Sequence, residues 1–219
     1  GIRWVKGERV NRVDTGTKQV HLECGAFLPY DRLLIATGAH FVIPPLPNFR
    51  EAKNVFGLRD LSDAEKIDAA AAEGKRCVIV GSGLVGLDAA NALCERGVAC
   101  SVVEMADRIS PLQLDTTAAA AYQTLFEKAG CTFYLAEKAS GSEMDGEGNI
   151  TSISLASGVT LPCDFVVVAA GVRPSVEFLE GSGIEVERGV KVDEYLHTSV
   201  PDVWAAGDVA GITGIWPNA

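Results

Sequence analysis

The sequence predicts an α/β fold in which a parallel sheet carries an antiparallel layer on one face, and three observations predict it. Between residues 75 and 135, apolar strand-length runs alternate with helix-length segments. Shorter strands then follow, with a hairpin signal at residues 145–149 (DGEGN). After them comes the longest apolar run, residues 165–172 (FVVVAAGV), which reads as a strand buried on both faces. Alternation followed by hairpins is the chain order of a three-layer ββα arrangement: helices, parallel sheet, antiparallel meander.

Residues 8–22 alternate weakly around Asp14-Thr-Gly-Thr, which predicts a hairpin. Residues 30–39 (YDRLLIATGA) form a buried strand that stops at Gly38. Pro44, Pro45 and Pro47 mark a linker or crossover rather than an element. Ser62-Asp-Ala-Glu65 has the form of a capping box, ahead of an alanine-rich helix running to about Glu73. Residues 77–80 are a strand, 85–96 a helix with Gly97 at its C′ position, and 101–104 the next strand. A second helix over 116–129 stops at Gly130, and a strand follows at 132–135. The meander precedes a strand over 165–169. Beyond Pro174 the periodicity weakens to a helical turn at 176–179, a strand at 190–192 and a last unit at 198–208.

Composition bounds the function classes. A chain of 219 residues, 47% apolar and 22% charged, buries one large domain or two small ones. A net charge of −10 with no Lys/Arg block excludes a nucleic-acid surface. No apolar run is long enough to span a bilayer. Cys24, Cys77, Cys94, Cys100, Cys131 and Cys163 form no C-x-x-C and no metal spacing with His21, His40 and His197. The cysteines read as small buried hydrophobes in a reducing, cytoplasmic compartment, and a redox pair assembled from distant ones has no support in their spacing. The histidines stand apart in loop-like contexts and read as surface or structural residues. No metal site and no catalytic acid, base or nucleophile stands out.

The chemistry-bearing stretch begins at Arg76. An apolar strand runs into Gly81-Ser82-Gly83-Leu84-Val85-Gly86, which opens a helix, and Glu104 ends the next strand. In G-x-G-x-x-G, the first glycine permits the tight turn, the second lets backbone amides approach a pyrophosphate, and the third lets helix and strand pack closely. The helix N-terminus adds oriented N–H groups and the positive end of its dipole. Glu104 lies 23 residues after Gly81, near the spacing of about 20 at which a carboxylate accepts ribose hydroxyls. Strand, glycine turn, helix, strand and acid in this order predict a dinucleotide site.

Taken together, Leu33-Leu-Ile-Ala-Thr37-Gly38, the glycine turn with Glu104, Ala169-Ala-Gly171-Val-Arg-Pro174 and Thr198 to Asp208 resemble the FAD-dependent pyridine nucleotide-disulfide oxidoreductases. The likeness is to the branch of NADH oxidases, rubredoxin and ferredoxin reductases and nitrite reductase large subunits. Phe56-Gly-Leu58-Arg59-Asp-Leu-Ser-Asp63-Ala64 and Gly211-Ile-Thr-Gly-Ile-Trp-Pro217 carry its flavour too. The resemblance implies nested modules: residues 50–171 an NAD-binding module, residues 1–49 and 172–219 parts of an FAD module. It places Asp208 on the flavin ribityl chain, with a helix N-cap as the other reading. Thr37 and Gly38 become the turn beside the flavin nucleotide, Arg59 a flavin contact and Val10 an adenine-side backbone contact. Gly171 would allow close approach at the end of the last strand. Asp88 stands where relatives carry a longer Glu reaching toward the nicotinamide. Glu104 favours NADH, because a 2′-phosphate would face a like charge; Arg108 either weakens that discrimination or pairs with Glu104.

The 219 residues hold one such fingerprint, the inner one. The family's FAD fingerprint, its usual redox-cysteine region and its C-terminal interface domain are not in them, so the sequence reads as an excised or truncated piece. The expectation is weak NAD(H) binding, no tight FAD retention and no turnover by these residues alone. The intact protein would be a homodimer passing hydride from NADH to FAD and then to a small-molecule or electron-transfer-protein acceptor. The alternative is a non-catalytic NAD(H)-sensing or scaffold module, for which Thr37-Gly38 and Gly207-Asp208 have no use. A short-chain-type dehydrogenase would need a Tyr-x-x-x-Lys pair in the right context, which this sequence does not offer.

Overall fold

Strands that alternate small and branched apolar residues on both faces need a layer on each side, and the chain supplies both. A computed structural model describes residues 1–211. Contacts divide the chain into two units, Gly1–His40 with Arg173–Ala219 and, between them, Phe41–Val172.

The first unit opens with an antiparallel meander of β1 (Val10–Asp14), β2 (Gln19–Leu22) and β3 (Phe27–Pro29), the hairpin turning at Asp14-Thr-Gly-Thr as the sequence predicts. Asp14 fixes that turn by accepting the Thr17 N–H at 2.9 Å. β4 (Leu33–Ile35) follows, and β5 (Ala39–Phe41) carries the chain into the second unit.

There the elements are β6 (Val55–Gly57), α1 (Leu61–Ala70), β7 (Arg76–Val80), α2 (Leu84–Glu95), β8 (Ala99–Val103), α3 (Thr116–Lys128) and β9 (Thr132–Tyr134). They are followed by β10 (Ala139–Met144), β11 (Ile150–Leu155), β12 (Thr160–Pro162) and β13 (Phe165–Val168). Strands β6, β13, β7, β8 and β9 form one all-parallel sheet in that order. Register sorts the two faces. Cys77 and Ile79 lie opposite Phe165 and Val167 and pack with Ile67, Ala90 and Leu93 of the helices. Val78 lies opposite Val166 and packs with Ile150, Ile153 and Leu161 of the β10–β11–β12 meander. A period of two in each strand therefore feeds two separate cores. The result is the predicted three-layer α/β module.

β14 (Val172–Pro174) returns the chain to the first unit, where β15 (Val190–Lys191), β16 (Val203–Ala205) and β17 (Ala210–Gly211) pair in parallel as β16 with β4 and β15 with β17. Val13, Ile35, Leu179, Val190 and Val203 make its core. The resemblance over Gly211-Ile-Thr-Gly-Ile-Trp-Pro217 lies, past its first residue, outside the described residues. No helix among the described residues is long and apolar enough to cross a membrane.

Two local readings change. The capping box is Asp60 with Asp63, not Ser62 with Glu65: Asp60 accepts the Asp63 N–H at 3.1 Å, and Asp63 accepts the Asp60 N–H at 3.4 Å. Aspartate caps as well as serine does, so the helix starts as soon as one is available. It ends at Ala70, where Ala71 turns extended (φ −80°, ψ 112°). The proline-rich stretch is also no bare linker. Ile43, Leu46 and Phe49 pack into the meander-side core, Phe49 being 1% exposed. Of the cysteines, 77, 100, 131 and 163 are buried as expected, Cys94 is half-buried, and Cys24 is exposed.

Asp164, just before β13, gives a pH prediction. Partial burial pushes its carboxyl up, but the Arg76 N–H at 2.8 Å, the Arg76 side chain and Lys75 together hold it below its ordinary 3.8. A carboxyl lowered in the fold contributes stability above its unfolded value, and that contribution disappears as the pH falls through the folded one. Denaturant midpoints measured below pH 5 should fall less steeply in Asp164→Asn than in the parent.

Candidate functional site

Gly81 follows the last residue of β7 with φ +106°, a conformation that side chains resist. A Cβ there would meet the Ala169 carbonyl oxygen at 2.4 Å, so glycine is the residue that lets the turn nest against the end of β13. Gly86, in the first turn of α2, has no room either: its Cβ would lie 2.2 Å from the Gly81 carbonyl oxygen. Gly83 differs. Its φ is −67°, and a Cβ there would meet no protein atom within 4 Å. Gly81 and Gly86 are glycines for the protein's sake; Gly83 leaves space beside the turn.

That space belongs to a cavity of about 690 Å³ whose walls include Pro45, Gly81, Gly83, Glu104, Gln113 and Gly171. The volume suits a nucleotide-sized ligand. It sits at the carboxyl ends of β7, β8 and β13, where open parallel sheets bind ligands. Gly171 borders it with φ +97°, and a Cβ added there would meet nothing within 4 Å. The first turn of α2 has no side-chain cap and no acidic residue, which leaves its amides and dipole to an anion.

Glu104 is fixed at the rim. One carboxylate oxygen accepts the Ser82 N–H at 2.9 Å and the Ser82 hydroxyl at 2.8 Å; the other accepts the Ala106 N–H at 2.9 Å. A carboxylate has about four acceptor positions, so it holds the glycine turn and still has capacity for a sugar hydroxyl. Ser82 is fully buried, and its carbonyl and hydroxyl accept the Ser110 N–H at 2.9 and 3.3 Å. The Ser110 hydroxyl in turn donates to Gln113 at 2.8 Å. A polar network thus runs from acid through turn to the loop after β8.

Arg108 does not pair with Glu104. It donates to the Leu114 and Pro111 carbonyls at 3.2 and 3.3 Å and to Asp107 at 2.9 Å, which braces the same loop. The loop curls back, so its carbonyls reach the guanidinium first. The side chains of Leu84 and Val85 are exposed on the first turn of α2, and Asp88 is exposed one turn on; none of the three lines the cavity. Pro45, Gln113 and Lys138 do line it and are not marked by the sequence, because nothing in it says which loop residues return to the turn. Arg59, exposed in the same unit, donates its backbone N–H to Asp63 at 3.0 Å.

In the first unit, Thr37 donates its hydroxyl to the Ser175 carbonyl at 2.9 Å, and the Gly38 carbonyl accepts the Ser175 N–H at 3.0 Å. Gly38 takes φ +65°, as a tight turn after β4 requires. Val10 opens β1 opposite Leu22 and packs on that unit's core. Asp208 is exposed after Gly207, whose φ is +79°. The N-cap reading of Asp208 fails, because Val209 lies in a turn and Ala210–Gly211 form β17, so no helix starts there.

The model of the pyridine nucleotide-disulphide oxidoreductase family matches residues 1–219. The chain belongs to that family. It is 35% identical over 98% of its length to an NAD(P)H nitrite reductase of Bacillus subtilis, covering 26% of that protein. It is 34% identical over 96% of its length to the ferredoxin–NAD(+) reductase component of the biphenyl dioxygenase system of Paraburkholderia xenovorans, covering 50% of it. Among solved structures, the putidaredoxin reductase–putidaredoxin covalent complex superposes with a TM-score of 0.88 at 29% identity, over 93% of this chain and 50% of that one. This chain therefore spans about a quarter to a half of the length of these relatives.

Proposed function

We propose that this chain is the NAD(H)-binding portion of a flavin-dependent oxidoreductase that takes hydride from NADH and passes electrons to an acceptor. The observation that carries it is the cavity bounded by Gly81, Gly83 and Glu104, in which Gly83 leaves open space while its two partner glycines are packed tight. NAD(H) fits that set. The amides after Gly83 hold the pyrophosphate, Glu104 takes the adenosine ribose, and Gly171 admits close approach at the end of β13. Of the remaining candidates, Ser82 and Gly86 shape the turn, Leu84 and Val85 offer first-turn amides of α2, and the side chain of Asp88 is given to the nicotinamide end.

Flavin fits the first unit only in part. Thr37, Gly38, Val10 and Asp208, with Arg59, are the residues this reading gives to FAD, but the chain has no second glycine fingerprint for its pyrophosphate. When bound, nicotinamide supplies a hydride and flavin accepts it; the chain's residues bind, orient and exclude water. Relatives named as ferredoxin and putidaredoxin reductases support an electron-transfer-protein or small-molecule acceptor. We place the protein in the cytoplasm, on its buried unpaired thiols, and read the intact molecule as a homodimer.

Titration calorimetry tests the reading. The chain should bind NADH more tightly than NADPH. Glu104→Ala should weaken NADH roughly 10- to 100-fold, the equivalent of one charge-assisted hydrogen bond of about 1.5–3 kcal/mol, and should narrow the preference over NADPH. Equal binding of NADH by parent and variant would overturn it.

A further inference from the structure

The fold joins two cysteines that the sequence keeps 37 residues apart. Cys94 lies in the last turn of α2 and Cys131 immediately before β9, and their Sγ atoms are 3.2 Å apart. That is shorter than the roughly 3.5–4.0 Å at which carbon atoms rest against each other, although sulfur is the larger atom. Both backbones are held in place. The Gly97 N–H donates to the Cys94 carbonyl at 2.9 Å, and the Cys131 N–H donates to the Phe126 carbonyl at 3.0 Å. Cys94 is half-buried and Cys131 buried, so Cys94 is the more accessible residue of the two. Cys77 and Cys100, paired in register on β7 and β8, lie deeper in the same helix-side core.

The surroundings do not suit a catalytic thiol. The last turn of α2 carries no basic residue to favour a thiolate, and burial, with the Cys94 sulfur beside it, pushes the Cys131 thiol up to about 12. What the geometry suits is bond formation driven by an external oxidant.

We propose that Cys94 and Cys131 are a redox modification site, converted to a disulfide by a low-molecular-weight disulfide. The Cys94 thiolate attacks one sulfur of the oxidant, forms a mixed disulfide and releases one thiolate. The Cys131 thiolate then attacks the Cys94 sulfur, closes the intramolecular bond and releases the second thiolate. The two cysteine protons end on the two released thiols; the protein loses two electrons and the oxidant gains them. The sulfurs must close by roughly 1.1 Å to reach bonding distance. The staple ties the end of α2 to the start of β9, about 15 Å along the helix from the glycine turn, and leaves the NAD(H) cavity open. It goes beyond the proposed function and does not rest on it.

The test uses the full chain with Cys24→Ser, which removes the exposed thiol. After treatment with oxidised glutathione, titratable thiols should fall by two and non-reducing peptide mapping should find a 94–131 link. The melting temperature should rise by on the order of 10 °C and return with dithiothreitol. NADH affinity should stay within about twofold. Unchanged thiols, a glutathione adduct without the internal bond, or a bridge through Cys77 or Cys100 would each overturn the proposal. Adding Cys131→Ser, or Cys131→Ala should the serine variant fold poorly, should leave Cys94 as a mixed disulfide with no thermal gain; a gain there overturns it too.

Discussion

Gly86→Ala should lower thermal stability and weaken NADH binding together, whereas Gly83→Ala should weaken binding alone. Alanine in a helix is worth about 0.8–1.0 kcal/mol over glycine, which by itself would stabilise α2. At position 86 the added Cβ lands 2.2 Å from the Gly81 carbonyl oxygen and 3.2 Å from the Ala169 Cβ. Both neighbours belong to the turn and to the end of β13, so relief means moving backbone. Overpacking of this kind costs about 1–3 kcal/mol or more, and it wins. The melting temperature should drop by several degrees, and the displaced turn should no longer present its amides to a pyrophosphate. At position 83 φ is −67° and the new methyl meets no protein atom, so the fold accepts it. The methyl then occupies the space beside the turn, and binding should fall at least tenfold with an unchanged melt. Scanning calorimetry and NADH titration on the two variants read both arms; a Gly83→Ala protein that binds as the parent does would refute the role given to that space.

The contrast shows what the sequence could and could not say about the site. G-x-G-x-x-G after an apolar run is legible because each glycine answers a local backbone demand, and the later carboxylate answers a fixed helix-and-strand length. Strand and helix periods likewise place α2, α3, β7, β8 and β13 within a residue or two. The brace behind the turn is not legible. Ser82, Ser110 and Gln113 are ordinary polar residues, and only the path of the loop after β8 sets them in line with Glu104. Arg108 could be assigned to Glu104 by spacing, yet the curl of that same loop gives it three nearer partners. The proline-rich segment is a further case. Its prolines forbid regular structure, and nothing local predicts that Phe49 will be buried beneath the meander. Cys94 and Cys131 meet through tertiary packing alone.

Asn54→Ala should be among the most destabilising single changes in the second unit. Asn54 is 8% exposed and lies just ahead of β6. Its amide nitrogen donates to the Ile150 and Asp164 carbonyls, both at 2.8 Å, and its amide oxygen accepts the Ile150 N–H at 2.7 Å. Its backbone carbonyl accepts the Val166 N–H at 2.9 Å. One side chain thereby ties the start of β11 in the meander to the start of β13 in the sheet. Truncation strands partners around Ile150, itself 1% exposed, where water replaces them poorly. At about 1–3 kcal/mol for each unsatisfied buried group, and short of additivity, the loss should be roughly 3–5 kcal/mol. That is a large share of the roughly 5–15 kcal/mol that typically separates folded from unfolded chains. Urea denaturation should show a lower midpoint with an unchanged slope. Asn54→Asp keeps the acceptor but turns an anionic oxygen toward two carbonyls, so it should be no better than alanine; Asn54→Leu restores volume without hydrogen bonds and should recover little. A leucine variant as stable as the parent would show that the site needs bulk and not polarity. Lys138 and Ala139, at the entry to β10, form part of the cavity wall beside Glu104. Loosening the meander should therefore cost NADH affinity as well, at a distance from the glycine turn itself.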